Sequence, residues 1–268
     1  VHRSSYFNTF DQPAAVEKFR RLTGAIHQHE TKVVLQMAHN GAQFQANFET
    51  PWGPSVVPSP RTWYPPHEMT VPEIKEVIQA FGVAAARARD AGFDGAEVLG
   101  AHGYLVAEFM SPFFNRRKDE YGGDLENRLR FPLELLQAVR RAVGDDYTIG
   151  IRISGDEMFE GGLTLDDMVG IAPILASQGK VDYINVTMGT YRSPSVVIDS
   201  MYYPLGSAIY CAAAIKAVGD VPVIGRGRVL DPIQAEEILA KNQADLVGMA
   251  RALIADPDIP NKARQGKL

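Results

Sequence analysis

His102 and Tyr104 stand two residues apart where the apolar run Gly95–Leu99 gives way to a long polar loop. An imidazole and a phenol are groups that hold or pass a proton. The C-terminal edge of a parallel strand is where α/β barrels and doubly wound sheets place their chemistry. Four more strand-like runs end on comparable groups. His39 follows Gln36 by three residues, and Tyr191 and Arg192 follow Asp182–Thr187 through Met188-Gly189-Thr190. Arg226 sits between Gly225 and Gly227, and Gly248-Met249-Ala250-Arg251 closes the last run.

The two glycine–arginine segments suit a phosphate. Glycine lets backbone N–H groups approach an anion, and Arg226 or Arg251 adds charge-assisted hydrogen bonds, with Arg228 a lesser helper. In barrels this role falls to the loops after the last two strands. Gln36 and Arg152 lie within otherwise apolar strands, KVVLQM and TIGIRI, where a polar group needs a partner or an outlet. For Arg152 the partner is either a bound ligand or an acid such as Glu97. His39, Tyr191 and Arg192 fit loop packing as well as a site. The Arg- and Asp-rich run Asn115–Arg130 reads as a loop knit by ion pairs, and Cys211 as a core residue.

Six strands must position these groups: Lys32–Met37, Gly95–Leu99, Thr148–Ile153, Asp182–Thr187, Val221–Gly225 and Asp245–Met249. Helical spacing of apolar residues lies between them, over Ala14–His29, Pro72–Ala91, Pro132–Val143, Leu165–Gln178, Ile209–Val218 and Pro232–Lys241. Thr70 with Glu73 and Thr164 with Asp167 have capping-box spacing. Gly92, Gly144, Gly179 and Gly219 stand where helices close. Alternating strands and helices imply parallel pairing through right-handed crossovers, hence an α/β class. No GxGxxG follows the first strand, so a β/α barrel fits better than a dinucleotide-binding sheet. Six units suggest barrel strands three to eight, with strands one and two missing before the N-terminus. The start at Val1 rather than Met agrees with a trimmed or incomplete chain.

Composition narrows the class. The chain has 268 residues and a net charge of −5, which gives no basic face for nucleic acid or an anionic membrane. It contains no 18-residue apolar run, and its single cysteine makes no disulfide or iron–sulfur site. No metal site is expected. A soluble cytoplasmic protein acting on a small molecule, compatible with a homo-oligomer, is the expectation.

The block GAHGYLVAEFMSPFFNRRKDEYGGDLENRLRF at 100–131 resembles the signature of the Old Yellow Enzyme family of NADH:flavin oxidoreductases. LQMAHNG at 35–41, GIRIS at 150–154, GRGR at 225–228 and GMARALIADP at 248–257 resemble further family segments, so the likeness spans essentially the chain. It implies one FMN-binding TIM (β/α)8-type barrel domain over 1–268, and NAD(P)H as electron donor. By the same resemblance Gln36 contacts the flavin ring and Arg152 lies near flavin N1 and O2. Gly225, Arg226, Gly227, Gly248, Met249, Ala250 and Arg251 bind the phosphate, and Tyr104 is the proton donor. From their places at the strand ends, and not from the resemblance, His102 and Tyr191 are expected to orient substrate, with His39, Leu99 and Arg192 as further candidate substrate contacts.

The chain looks closest to the branch of 2,4-dienoyl-CoA reductase and trimethylamine dehydrogenase. Parents in that branch carry a [4Fe–4S] cluster and an FAD- and NAD(P)-binding domain beyond the barrel, which this chain does not contain. Leu99 stands where simple enone reducers place the first of a His/Asn pair, and Tyr191 where dienoyl-CoA reductase has histidine. Ala42 replaces an arginine. These departures bear on substrate more than on flavin. The implied reaction is hydride transfer from reduced flavin to an activated C=C bond of enoate or dienoyl type. Oxidative demethylation of an N-methyl amine is the alternative, and an inactive fragment is the third reading.

Overall fold

In the computed structural model, residues 13–43, 50–61 and 63–267 are described. The chain runs α1 (Pro13–His27), β1 (Val34–Met37), β2 (Trp52–Gly53), β3 (His67–Glu68), α2 (Val71–Asp90), β4 (Gly95–Gly100) and α3 (Leu105–Met110). It continues through α4 (Leu125–Val143), β5 (Thr148–Ser154), α5 (Leu165–Gly179), β6 (Tyr183–Thr187), α6 (Pro194–Val197) and α7 (Ile209–Lys216). The last elements are β7 (Val223–Arg226), α8 (Pro232–Ala240), β8 (Leu246–Gly248), α9 (Arg251–Ala255) and α10 (Ile259–Arg264).

Six strands pair in parallel in the order β1-β4-β5-β6-β7-β8, a curled arc of an α/β barrel. Crossovers of one hand put the helices on one face and leave a concave inner face. Period-two alternation sorts the side chains between the two. Ala96, Val98, Ile149, Ile151, Ile153, Ile184 and Val186 face the helices and are at most 1% exposed. They join one core with Ile74 and Phe81 of α2, Leu135 and Val139 of α4 and Leu175 of α5. Each such aliphatic side chain contributes roughly 1.5–3 kcal/mol by burial. The alternate positions, among them Gln36, Glu97, Arg152, Asn185 and Arg226, fall on the concave face. Gly150 belongs to that set because a Cβ there would fall inside the Tyr183 ring.

Both capping boxes form: Thr70 accepts from Glu73 N–H and Thr164 from Asp167 N–H. Several boundaries differ from the sequence reading. The fourth helix starts at Leu125, not Pro132, because the Asp124 side chain accepts the Asn127 N–H at 2.9 Å and caps it there. Leu125–Arg130 is therefore helix rather than loop. In the remaining loop the buried Arg117 pairs with Asp119 and donates to the carbonyls of Pro54 and Met69. Those bonds tie it to a parallel two-residue clip, β2 on β3. Lys180 (φ 53°), not Gly179, takes the left-handed position after α5. The seventh helix ends at Lys216, before Gly219. Cys211 is fully buried, and burial pushes its thiol up to about 11, as a core residue requires. No helix among the described residues is long and apolar enough to cross a membrane. The residues before Pro13, which include Val1 and the expected loop before the first helix, lie outside the described set.

Candidate functional site

The β4 strand ends in two successive left-handed residues, His102 (φ 60°) and Gly103 (φ 73°). For a residue with a Cβ that conformation costs roughly 1–2 kcal/mol. Three contacts hold His102 in it: a bridge to Thr190, a backbone N–H donated to Ser154 Oγ at 3.0 Å, and Nδ1 against Gly189 O at 3.3 Å. A carbonyl only accepts, so Nδ1 carries the proton and Nε2 is left as an acceptor. Burial first, then Arg152 and Arg226, push His102 down to about 3, so its imidazole is neutral at physiological pH.

The same turn presents Tyr104 to the loop after β6. Its hydroxyl lies 2.9 Å from that of Tyr191, and the rings meet edge-to-face at 5.8 Å. Sequence reasoning missed the third member. Arg61, from the loop between β2 and β3, donates to Tyr191 Oη at 3.2 Å and stacks on its ring at 5.1 Å. Nothing local announces a contact across 130 residues.

On the concave face, Gln36 Nε2 donates to Glu97 Oε1 at 2.6 Å and Asn185 Nδ2 to Glu97 Oε2 at 3.0 Å. Gln36 is exposed rather than buried, since its strand is the edge of the arc. Glu97 thus bonds two amides, with the Tyr183 hydroxyl also against it, and acts on Arg152 only through space; burial remains the dominant influence, lowering that guanidinium. The salt bridge considered for Arg152 does not form. Asn185 and Glu97 had no sequence signal beyond being polar in an apolar strand.

At the other end, a cavity of about 200 Å³ opens over β7 and β8, lined by Arg152, Arg226, Gly227, Arg228, Arg251 and Asp199 among others. That is several times the ~30 Å³ of a water in liquid, enough for a tetrahedral anion. Gly248, Met249 and Ala250 line it too. Gly225 does not: it faces the helices, where a Cβ would come 2.9 Å from Ala244 and 3.0 Å from Ile209. Gly227 (φ 125°) is needed, because a Cβ would lie 2.7 Å from Ala208 N. Arg226 donates to Thr187 Oγ1 and Arg228 to Tyr203 O. Arg251 is held by Asp199, through O at 2.7 Å and Oδ1 at 2.8 Å. Burial and the neighbouring Arg152 bring Arg226 down to about 10, still protonated at neutral pH.

A flavin phosphate and ring edge fit this donor set. Arg152 Nε, Arg226 Nε and Asn185 Oδ1 are buried without a hydrogen-bond partner among the described residues. Such groups are costly unless a ligand satisfies them.

The remaining expected site residues are placed as follows. Leu99 is buried beside Arg152 in register, and His39 accepts the Gly41 N–H at Nδ1 (3.1 Å) and packs near Trp52. Arg192 lies over the rings of Phe113 (4.4 Å) and Phe159 (5.5 Å), with Arg116 on Phe113 at 5.5 Å. The structure thus joins His102, Tyr104 and Tyr191 at one mouth and gathers the arginines at another. His39 is bonded within its own loop and, through its carbonyl, to Leu105 at the start of α3.

Residues 9–268 match the model of the NADH:flavin oxidoreductase / NADH oxidase family. An NADH oxidase of Thermoanaerobacter brockii is 43% identical over 252 residues, 93% of this chain and 39% of that protein. An N,N-dimethylglycine/sarcosine dehydrogenase of Chromohalobacter salexigens is 40% identical over 91% of this chain and 36% of its own length. The structure of a 2-naphthoyl-CoA reductase in complex with 2-naphthoyl-CoA superposes with a TM-score of 0.89 at 33% identity, covering 96% of this chain and 41% of that one. The chain spans well under half the length of these relatives. By the family match along nearly its whole length, and by the barrel arc that carries the site, the chain belongs to the NADH:flavin oxidoreductase family of Old Yellow Enzyme type.

Proposed function

We propose that this chain is the FMN-binding part of a NAD(P)H-dependent oxidoreductase that reduces an activated C=C bond, and that it works in the cytoplasm on a small molecule. One observation carries the reading: a coupled phenol pair, Tyr104–Tyr191, stands at the same sheet edge as an arginine cluster in which Arg152 Nε and Arg226 Nε are buried without a partner among the described residues. Arg226, Arg251, Gly227 and the 248–250 backbone would hold the phosphate, and Arg152 and Gln36 the ring edge. Bound there, FMN would supply reversible hydride transfer. Tyr104 holds the proton at its hydroxyl and gives it to the substrate carbon next to the one reduced. Leu99 supplies an apolar wall. The guanidinium groups of Arg116 and Arg192, both against Phe113 and with no ion pair to a carboxylate among the described residues, suit the anionic end of a long substrate such as an acyl thioester.

A second reading, oxidation of an N-methyl amine, is favoured by the His102 tautomer. With Nδ1–H committed to Gly189, Nε2 accepts, which suits an N–H substrate better than a carbonyl oxygen.

The test begins with the chain mixed with FMN and desalted, where a retained flavin band is expected and a colourless protein overturns the reading. Anaerobic re-oxidation of the reduced protein by an enoyl thioester supports C=C reduction; bleaching of the oxidised protein by an N-methyl amine supports the second reading instead. Tyr104→Phe should slow re-oxidation by roughly tenfold or more, since a positioned acid contributes ~10²–10⁴. An unchanged rate removes Tyr104 from the role.

A further inference from the structure

We infer that Arg61 sets the direction of proton transfer through the Tyr104–Tyr191 pair, making Tyr191 the relay and Tyr104 the group that meets substrate. The inference rests on the reading of Tyr104 as proton donor. Arg61 reaches Tyr191 in two ways, by a 3.2 Å hydrogen bond to the hydroxyl and by lying over the ring. A guanidinium is always protonated and has no acceptor. Tyr191 Oη accepts from Arg61, and of the two directions open to its 2.9 Å contact with Tyr104 Oη the relay takes Tyr191 as the donor. Tyr104, receiving that hydrogen, aims its own away from Tyr191.

The position of Arg61 is built in. Its backbone N–H donates to Ser59 Oγ at 3.1 Å. Ser59, fully buried, donates to Gln43 Oε1, and Gln43 Nε2 donates to Gly103 O at 3.1 Å. Gly103 is the chain neighbour of Tyr104. A buried polar ladder thus ties the loop that carries Arg61 to the turn that carries the proton donor.

A reduced flavin bound here would supply the hydride, leaving an electron pair on the adjacent substrate carbon; the Tyr104 O–H bond breaks and that pair forms the new C–H bond. The Tyr191 proton then restores the Tyr104 hydroxyl. The phenolate charge comes to rest on Tyr191 against the Arg61 guanidinium, and a proton from water restores Tyr191. Arg61 is a positioning residue here, acting on substrate only through the two phenols.

The test is a double-mutant cycle in the FMN-loaded chain, with Arg61→Gln, Tyr191→Phe and the pair, followed in the re-oxidation half-reaction. Arg61 is exposed, so its replacement leaves the fold intact. Arg61→Gln should lower the rate by about tenfold with substrate KM unchanged and raise the solvent isotope effect, while Arg61→Lys recovers part of the rate. The pair should be no slower than Tyr191→Phe alone, because both changes break one relay. In the chain without FMN, the hydroxyl-proton NMR signal between the two tyrosines should vanish in Arg61→Gln. Additive losses, or an unchanged hydroxyl signal, overturn the relay. If Tyr104→Phe is itself without effect, the donor reading has failed and the relay falls with it; if only the cycle is additive, the relay fails alone.

Discussion

The two ends of the sheet's C-terminal edge are built on opposite principles. Over β4 and β6 the groups are neutral and already in contact: His102 is deprotonated by burial, and Tyr104 and Tyr191 share a hydrogen bond. Over β7 and β8 the groups are charged and only partly satisfied: among the described residues four arginines face one aspartate and two buried Nε–H groups have no partner. A low-dielectric setting makes contact cheap for neutral groups and self-repulsion costly for like charges. The first end is therefore formed in the free chain, while the second is completed by an anion.

The largest test of this contrast is Arg226→Met. Removing a buried charge-assisted donor costs about 2–5 kcal/mol of binding, so FMN affinity should fall at least ~30-fold by flavin fluorescence titration. The same change relieves repulsion from Arg152 and Arg251, so the chain without FMN should become more resistant to denaturant. Loss of both binding and stability would show that the arginines are structural, and would break the comparison.

Beneath the tyrosine end lies Glu157. Its Oε2 accepts from Ser111 (2.7 Å) and from Leu163 N–H (2.8 Å), its backbone carbonyl accepts from Ser193 Oγ, and Oε1 is buried without a partner among the described residues. Burial, with Asp156 and Asp167 adding to it, pushes its carboxyl up to about 7. The folded chain therefore binds a proton that the unfolded chain has released between the ordinary carboxylate range and that value. Its contribution is complete below the ordinary carboxylate range and is lost as pH rises from about 4.5 to about 7, a loss of about 3 kcal/mol. Glu157→Gln should flatten the loss between denaturant melts at about pH 4 and about pH 8. An unaltered fall over that window would place its cause elsewhere.

The smallest effect is expected at Asp199, which occupies Arg251 in the cationic end. Asp199→Asn keeps hydrogen-bonding capacity for Arg251 and Ser207 but removes the charge. Inorganic phosphate and FMN should bind about tenfold more tightly, read by competition. Weaker binding would mean that the aspartate orders the arginine for the anion rather than competing with it.

Much of the scaffold was legible because its signals are local. Thr70 with Glu73 and Thr164 with Asp167 act over three residues, and TIGIRIS alternates its isoleucines outward and its arginine inward within one strand. His102 and Tyr104 were legible as groups at a strand end. Pro132 misled, since an internal proline reads as a helix start, while the real cap, Asp124, lies in a run dominated by charge. Gly225 was misassigned because a glycine needed for helix packing and one needed for an anion look alike in sequence. Glu97, Asp199 and Arg61 act through partners 52 to 130 residues away, and their roles exist only once the strands are in register.

The buried guanidinium of Arg117 is bonded to the carbonyls of Pro54 and Met69, the two flanks of the span that bears Arg61. That span is thus a noose tied from within the 100–131 signature, and tied again where β3 pairs with β2 and where Ser59 bonds Gln43. The reach of the chemistry at the mouth then depends on residues that touch none of the reacting groups.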